Sequence, residues 1–97
     1  MEIAILGLGT VGMGAFEAAK STETLNVKRA LIHNPKPGFE KITTTNYKEI
    51  VSDPDIDIVC ECIGGLHPAY EYVMEALRNG KHVVTPNKEL ISTYYRE

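Results

Sequence analysis

Glu2-Ile3-Ala4-Ile5-Leu6-Gly7-Leu8-Gly9-Thr10-Val11-Gly12 is the stretch that decides the fold of this chain. Residues 2–6 read as a short buried strand, stopped by glycine. From residue 10 to about residue 21, Val11, Ala15, Phe16, Ala18 and Ala19 recur as in a helix that packs one face on a sheet. Between the two lies G-x-G-x-x-G, in the strand–turn–helix context that gives this pattern weight. Each glycine has a physical job. Gly7 permits the tight turn, Gly9 lets backbone approach a pyrophosphate, and Gly12 lets the helix pack closely on the strand. The N–H groups around Gly9, Thr10 and Val11 face that anion, and the helix dipole favours it. The stretch therefore reads as a dinucleotide site. The competing readings are glycines serving only turn and packing, or another adenosine ligand such as S-adenosylmethionine.

Outward from this stretch, strand-like and helix-like segments alternate. Residues 27–32 read as a second strand. Asn34-Pro35-Lys36-Pro37-Gly38 is a loop, because two prolines and a glycine break any regular element. Residues 42–45 suit a short edge strand, and residues 46–51 a short helix capped by Asn46. A turn at Asp53-Pro54-Asp55 leads into a strand over residues 56–63. Residues 68–79 form a helix, with Pro68 in its first turn, Gly80 at its stop, and Ala69, Tyr72, Val73, Ala76 and Leu77 as its apolar set. Residues 82–85 are the last strand, and Asn87 caps a helix through residue 91. This alternation predicts an α/β fold: a Rossmann-type open, doubly wound parallel sheet with strand order 3-2-1-4-5.

In such a sheet, ligands bind beyond the carboxyl ends of the strands, where the strand order reverses. Three further segments reach that edge. The second strand ends in Ile32-His33-Asn34-Pro35-Lys36, without the acid that commonly holds the ribose 2′-hydroxyl of NAD. His33 and Asn34 suit a ribose hydroxyl, and Lys36 suits a 2′-phosphate, which tilts the reading toward NADP or toward use of both NADP and NAD. The bland account of Lys36 is a solvated loop lysine. Ile63-Gly64-Gly65-Leu66-His67-Pro68 ends the fourth strand, where a diglycine lets backbone lie flat against a planar ring. Thr85-Pro86-Asn87-Lys88 ends the fifth.

Composition bounds the partners. The chain has 97 residues, 43% hydrophobic and 24% charged, which fits one globular domain but is short for most complete two-substrate oxidoreductases. Thirteen acids against ten bases, with no basic stripe, argue against nucleic acid. No apolar run approaches the roughly 20 residues of a membrane span, and the first residues lack a secretory pattern. Two cysteines are too few for a disulfide-stapled domain, so the expected setting is cytoplasmic.

Ile5-Leu6-Gly7-Leu8-Gly9-Thr10-Val11-Gly12, Glu61-Cys62-Ile63-Gly64-Gly65, Pro68-Ala69 and Gly80-Lys81-His82-Val83-Val84-Thr85-Pro86-Asn87-Lys88 together resemble homoserine dehydrogenase, in order and over essentially the whole chain. The resemblance implies that residues 1–97 are an NAD(P)-binding domain, single and incomplete. Its last strand and the substrate-binding, dimerising region lie outside the chain, which is expected to be an N-terminal piece that catalyses little alone. The full enzyme interconverts L-homoserine and L-aspartate 4-semialdehyde with NADP or NAD, toward threonine, methionine and isoleucine, and is expected to be a homo-oligomer. The family's Val-Thr-Ala-Asn-Lys motif has Pro86 in the alanine position here. Its lysine, matched by Lys88, is implied to be catalytic and beside the nicotinamide, with Thr85 and Asn87 shaping the same loop. Ile63, Gly64 and Gly65 are implied cofactor contacts. Many relatives carry arginine where this chain has His33. The rival readings are a non-catalytic NAD(P)-sensing module and another amino-acid enzyme such as aspartate dehydrogenase.

Other residues read more plainly. Cys60 and Cys62 share one face of their strand and suit buried thiols. Glu61 points to the opposite face, toward a helix N-terminus or the crevice rim. His33, His67 and His82 form no metal-ligand spacing. Tyr70, Tyr72, Tyr94 and Tyr95 suit helix packing.

Overall fold

Ile3, Ala4, Ile5 and Leu6 are each no more than 3% exposed, and a strand covered on both faces belongs inside a sheet. The computed structural model describes residues 1–63 and 68–85. The elements are β1 (Glu2–Leu6), α1 (Thr10–Lys20), β2 (Asn26–Leu31), β3 (Thr43–Thr44), α2 (Lys48–Val51), β4 (Ile56–Glu61), α3 (Ala69–Arg78) and β5 (His82–Val84). All strand pairs are parallel, in the order β3-β2-β1-β4-β5. The sheet grows from β1 through β2 to β3 on one side and through β4 to β5 on the other. Leu6 pairs with Leu31 and with Glu61, so the central strands end level and their outgoing turns share one edge.

Alternation along β1 splits the core. Ala4 and Leu6 join Tyr47, Ile50, Val51, Ile56, Val59 and Ala76 on the face of α2 and α3. Ile5 joins Leu8 and Ala30 on the face of α1, with Phe16, Phe39, Cys60 and Cys62 packed against them. Burying a side chain the size of Ile5 or Leu6 contributes about 1.5–3 kcal/mol, so β1 anchors both layers. Edge-to-face packing of Phe16 on Phe39, 5.2 Å between centroids, closes the α1 layer over the loop after β2.

Several elements differ from expectation for local reasons. The α1 face that meets the sheet is Gly12, Ala15, Phe16 and Ala19, while Val11 and Ala18 are exposed. On α3, Ala69, Val73 and Ala76 are buried but Leu77 is 44% exposed. Leu77 is eight positions past Ala69 and so falls about 80° off the buried face. α2 begins at Lys48, and Asn46 still serves it by accepting a hydrogen bond from the Lys48 N–H at 3.1 Å. β4 ends at Glu61, two residues early. Gly80 stops the helix layer at a φ of +78°, a conformation open to glycine. The helix expected over residues 87–91 lies outside the described residues, as do Tyr94 and Tyr95.

Tyr47 joins α2 to α3: its hydroxyl donates to the Tyr72 carbonyl at 2.6 Å, with the two rings 4.3 Å apart. Burial raises the Tyr47 phenol well above its ordinary value, and Glu75 and Tyr72 push the same way. A folded-state value above the unfolded one means stability fully present below about pH 10 and lost as pH rises past it. Melting temperature therefore falls steeply on the alkaline side. Tyr47→Phe starts about 1 kcal/mol less stable but shows a flatter alkaline fall, because it removes the titrating group. Parallel melting curves against pH for the two proteins would disprove this account.

Candidate functional site

The chain leaves β1 through Gly7, whose φ of +93° strains any residue with a side chain. The Gly7 N–H donates to the Leu31 carbonyl at 2.9 Å, which ties the turn to the end of β2. In the first turn of α1, a β-carbon on Gly12 would lie 1.7 Å from the Gly7 carbonyl oxygen. The expected contact of Gly12 with the strand is thus replaced by contact with the turn itself. Gly9 differs from both. Its φ of −81° suits any residue, and among the described residues nothing lies within 4 Å of where its β-carbon would be. Among the described residues no packing contact demands a glycine there, and its place is the N-cap of α1, where helices favour glycine over alanine. Gly14 also faces open space, but it is an exposed helical position that does not line the cleft described next.

α1 has no acidic residue in its first turn and, among the described residues, no side chain capping its N-terminus. The Met13 N–H donates to the Gly9 carbonyl at 2.8 Å. The N–H groups of Thr10, Val11 and Gly12 come before any intrahelical acceptor, so the helix end offers donors and a positive dipole. Thr10 and Val11 are exposed and Gly12 is buried.

A cleft of about 420 Å³ runs from this turn across the ends of β2 and β4. It brings together Gly7, Gly9, His33, Asn34, Lys36 and Ile63, and no acid lines it among the described residues. His33 is exposed and Lys36 half-buried, with the Lys36 ammonium 5.8 Å from the centre of the Phe39 ring. A larger hollow of about 570 Å³ lies at the amino end of β2, beside Phe16, Lys20, Leu25 and Phe39. It touches none of the glycine turn, so the smaller cleft is the candidate site.

The ends of β4 and β5 are joined by Glu61. This side chain is 0% exposed. One carboxyl oxygen accepts from the Ile63 N–H at 2.7 Å, and the other accepts from the Thr85 hydroxyl at 2.7 Å. The first bond explains why β4 stops early, since the Ile63 N–H is diverted from the ladder. Cys60 and Cys62 face the α1 layer as free thiols. Burial pushes the Cys60 thiol up and the Cys62 thiol up to about 11, with Cys60 and Glu61 adding to the latter, so neither is a ready nucleophile. Among the described residues, no group of three or more His, Cys, Asp or Glu side chains is placed to hold a metal ion.

The residues expected at the site therefore fall into three sets. Gly7, Gly9, His33, Lys36 and Ile63 share the cleft, beside the helix start at Thr10, Val11 and Gly12. Thr85 stands apart at the end of β5, bound to Glu61. Gly64, Gly65, His67, Pro86, Asn87 and Lys88 lie outside the described residues. The sequence reading did not place Cys62 in the cleft. Its N–H donates to the Leu6 carbonyl at 2.9 Å, immediately before the glycine turn, and that pairing is invisible without strand register.

The glycines make separable predictions. Gly12→Ala destabilises the fold by about 3 kcal/mol or more, because backbone must move to admit the methyl group. Gly9→Ala, at the N-cap of α1, costs only about 1 kcal/mol. Urea melts followed by circular dichroism check both, and a Gly9→Ala protein as unstable as Gly12→Ala would assign Gly9 to packing.

Comparison with known proteins agrees with this geometry. The family profile described as "Homoserine dehydrogenase, NAD binding domain" matches residues 7–97. The homoserine dehydrogenase of Bacillus subtilis is 32% identical over 111 aligned positions, covering 100% of this chain and 26% of that protein. That of Synechocystis is 37% identical, covering 97% of this chain and 24% of that protein. The crystal structure of a homoserine dehydrogenase from Thiobacillus denitrificans superposes with a TM-score of 0.84 at 40% identity, covering 98% of this chain and 25% of that one. The chain thus spans about a quarter of the length of these relatives. With a glycine turn built for close approach and a five-stranded parallel sheet in the matching order, this chain belongs to the NAD-binding domain family of homoserine dehydrogenase.

Proposed function

We propose that the cleft takes NADP(H) or NAD(H), with the pyrophosphate against Gly7, Gly9, Thr10, Val11 and Gly12. The adenosine ribose lies at His33 and Lys36. The nicotinamide end extends toward Ile63, Gly64, Gly65, Thr85, Asn87 and Lys88. The observation that carries this reading is Gly9 in the cleft lining, where a β-carbon would meet nothing among the described residues and the backbone stands open to a ligand. The uncapped helix start supports it from the electrostatic side. The cleft lining at the end of β2 carries Lys36 and, among the described residues, no acid, which supports NADP over NAD; the carboxylate of Glu40 shares a neighbouring hollow with Lys36.

Residues 1–97 act as the nucleotide domain of a homoserine dehydrogenase that interconverts L-homoserine and L-aspartate 4-semialdehyde. The setting is cytoplasmic synthesis of threonine, methionine and isoleucine. The partners are the small-molecule substrate and further copies of the whole enzyme, not nucleic acid or membrane; among the described residues no helix is long and apolar enough to cross a bilayer. The bound cofactor supplies hydride transfer. The chain's own residues bind and orient it. The role assigned to Lys88 is that of the cation for the substrate oxygen that gains negative charge, since a fixed donor there favours the transition state.

Titration of the chain with NADPH and NADH, followed by nicotinamide fluorescence, tests the reading against the low background of a protein without tryptophan. Saturable binding of both is expected, tighter for NADPH, with Lys36→Ala erasing the difference and Gly9→Ala weakening both. A folded chain that binds neither overturns the assignment. In an enzyme that carries this domain with its remaining three quarters, Lys88→Ala lowers kcat roughly a hundredfold or more and leaves cofactor affinity nearly unchanged. A loss confined to KM would place Lys88 in binding alone.

A further inference from the structure

Glu61 is a costly residue to place at the end of a core strand. A carboxyl withdrawn from water costs several kcal/mol unless its oxygens find donors. Its neighbours Leu6 and Val59 are fully buried and apolar. Glu61 nonetheless stands at 0% exposure opposite Leu6, where the strand order reverses and one residue before Cys62 in the cleft. Its two oxygens reach in two directions, along the chain to the Ile63 N–H and across the sheet to the Thr85 hydroxyl. Both bonds are 2.7 Å, well within hydrogen-bond range. Ile63 and Thr85, the residues they hold, directly follow β4 and β5 at the carboxyl edge of the sheet, the side to which the proposed function assigns the nicotinamide.

We infer that Glu61 is a positioning residue. Through Thr85 it locks the exits of β4 and β5 together, and so fixes the place of the nicotinamide half of the cofactor. This rests on the dinucleotide reading proposed above. It divides the labour within the site: the glycine turn supplies affinity for the pyrophosphate, and the Glu61–Thr85 bond supplies orientation of the reactive ring.

Three variants of the chain separate this role from plain packing. Thr85→Val keeps the side-chain shape and removes the hydroxyl. Thr85→Ser keeps the hydroxyl and removes the methyl group. Glu61→Asp shortens the reach so that Ile63 and Thr85 cannot both be met. NADPH affinity is read by calorimetry, the bound nicotinamide by its fluorescence emission, and the fold by far-ultraviolet circular dichroism. With the lock at work, Thr85→Val and Glu61→Asp bind NADPH within about tenfold of the parent. The emission change on binding nevertheless drops by about half or more in both, since the ring is no longer held. Thr85→Ser matches the parent. Full emission change in Thr85→Val, or equal loss in Thr85→Ser and Thr85→Val, overturns the inference in favour of a steric role. So does unfolding of Thr85→Val, which would make the bond an element of the fold. A parent that binds NADPH by calorimetry with no emission change also overturns it, whereas a parent that does not bind at all fails the dinucleotide reading itself.

Discussion

The carboxyl edge of this sheet depends on one close approach, that of Gly12 to the carbonyl oxygen of Gly7. A β-carbon on Gly12 would lie 1.7 Å from that oxygen, so only the bare backbone of α1 can come so near the end of β1. The approach sets where α1 begins and which way its unpaired N–H groups face. With Gly7 held to β2 through Leu31, and Cys62 of the β4 exit held to Leu6, the turn is clamped between the strands on either side. The cleft is the space left over once those constraints are met. The helix end beside it has no acid and, among the described residues, no side-chain cap, so it presents donors and a positive dipole.

A second constraint concerns β5. This edge strand is three residues long, with His82 and Val84 exposed. Backbone pairing with β4 over so short a span holds it weakly. Two buried polar side chains of opposite type supplement the ladder at its two ends. At the amino end, the Lys81 ammonium donates to the carbonyls of Asp53 and Ile56 at 2.6 and 2.8 Å. At the carboxyl end, Glu61 accepts from Thr85. Charged partners strengthen such bonds beyond the usual neutral pair. The strand whose exit leads toward Lys88 is therefore fixed by side chains rather than by sheet length. Lys28 adds an outer brace: its ammonium lies 2.8 Å from Asp53 and 3.3 Å from Asp55, and holds the Asp53 carboxyl below its ordinary range. An exposed pair of this kind contributes little beyond fixing the turn before β4.

Sequence alone determined the order of elements, the parallel sheet and the location of the ligand edge. These follow from local signals: an apolar run that ends in glycine, helical spacing, and turn residues that break the chain. Periodicity is a property of neighbours in sequence, so it is legible there. It overreached where a helix has a rim, as at Val11 and Leu77, whose exposure depends on the exact facing of α1 and α3 against the sheet, and at element ends, as where β4 stops at Glu61. The tertiary structure decided everything that depends on distance across the sheet. That Gly12 meets a carbonyl, that Gly9 meets nothing among the described residues, that Cys62 lines the cleft, and that Glu61 reaches Thr85 are facts of register between segments far apart in sequence. Sequence names a residue's neighbours along the chain; only folding chooses its neighbours across space, and a buried carboxyl gains its role from those.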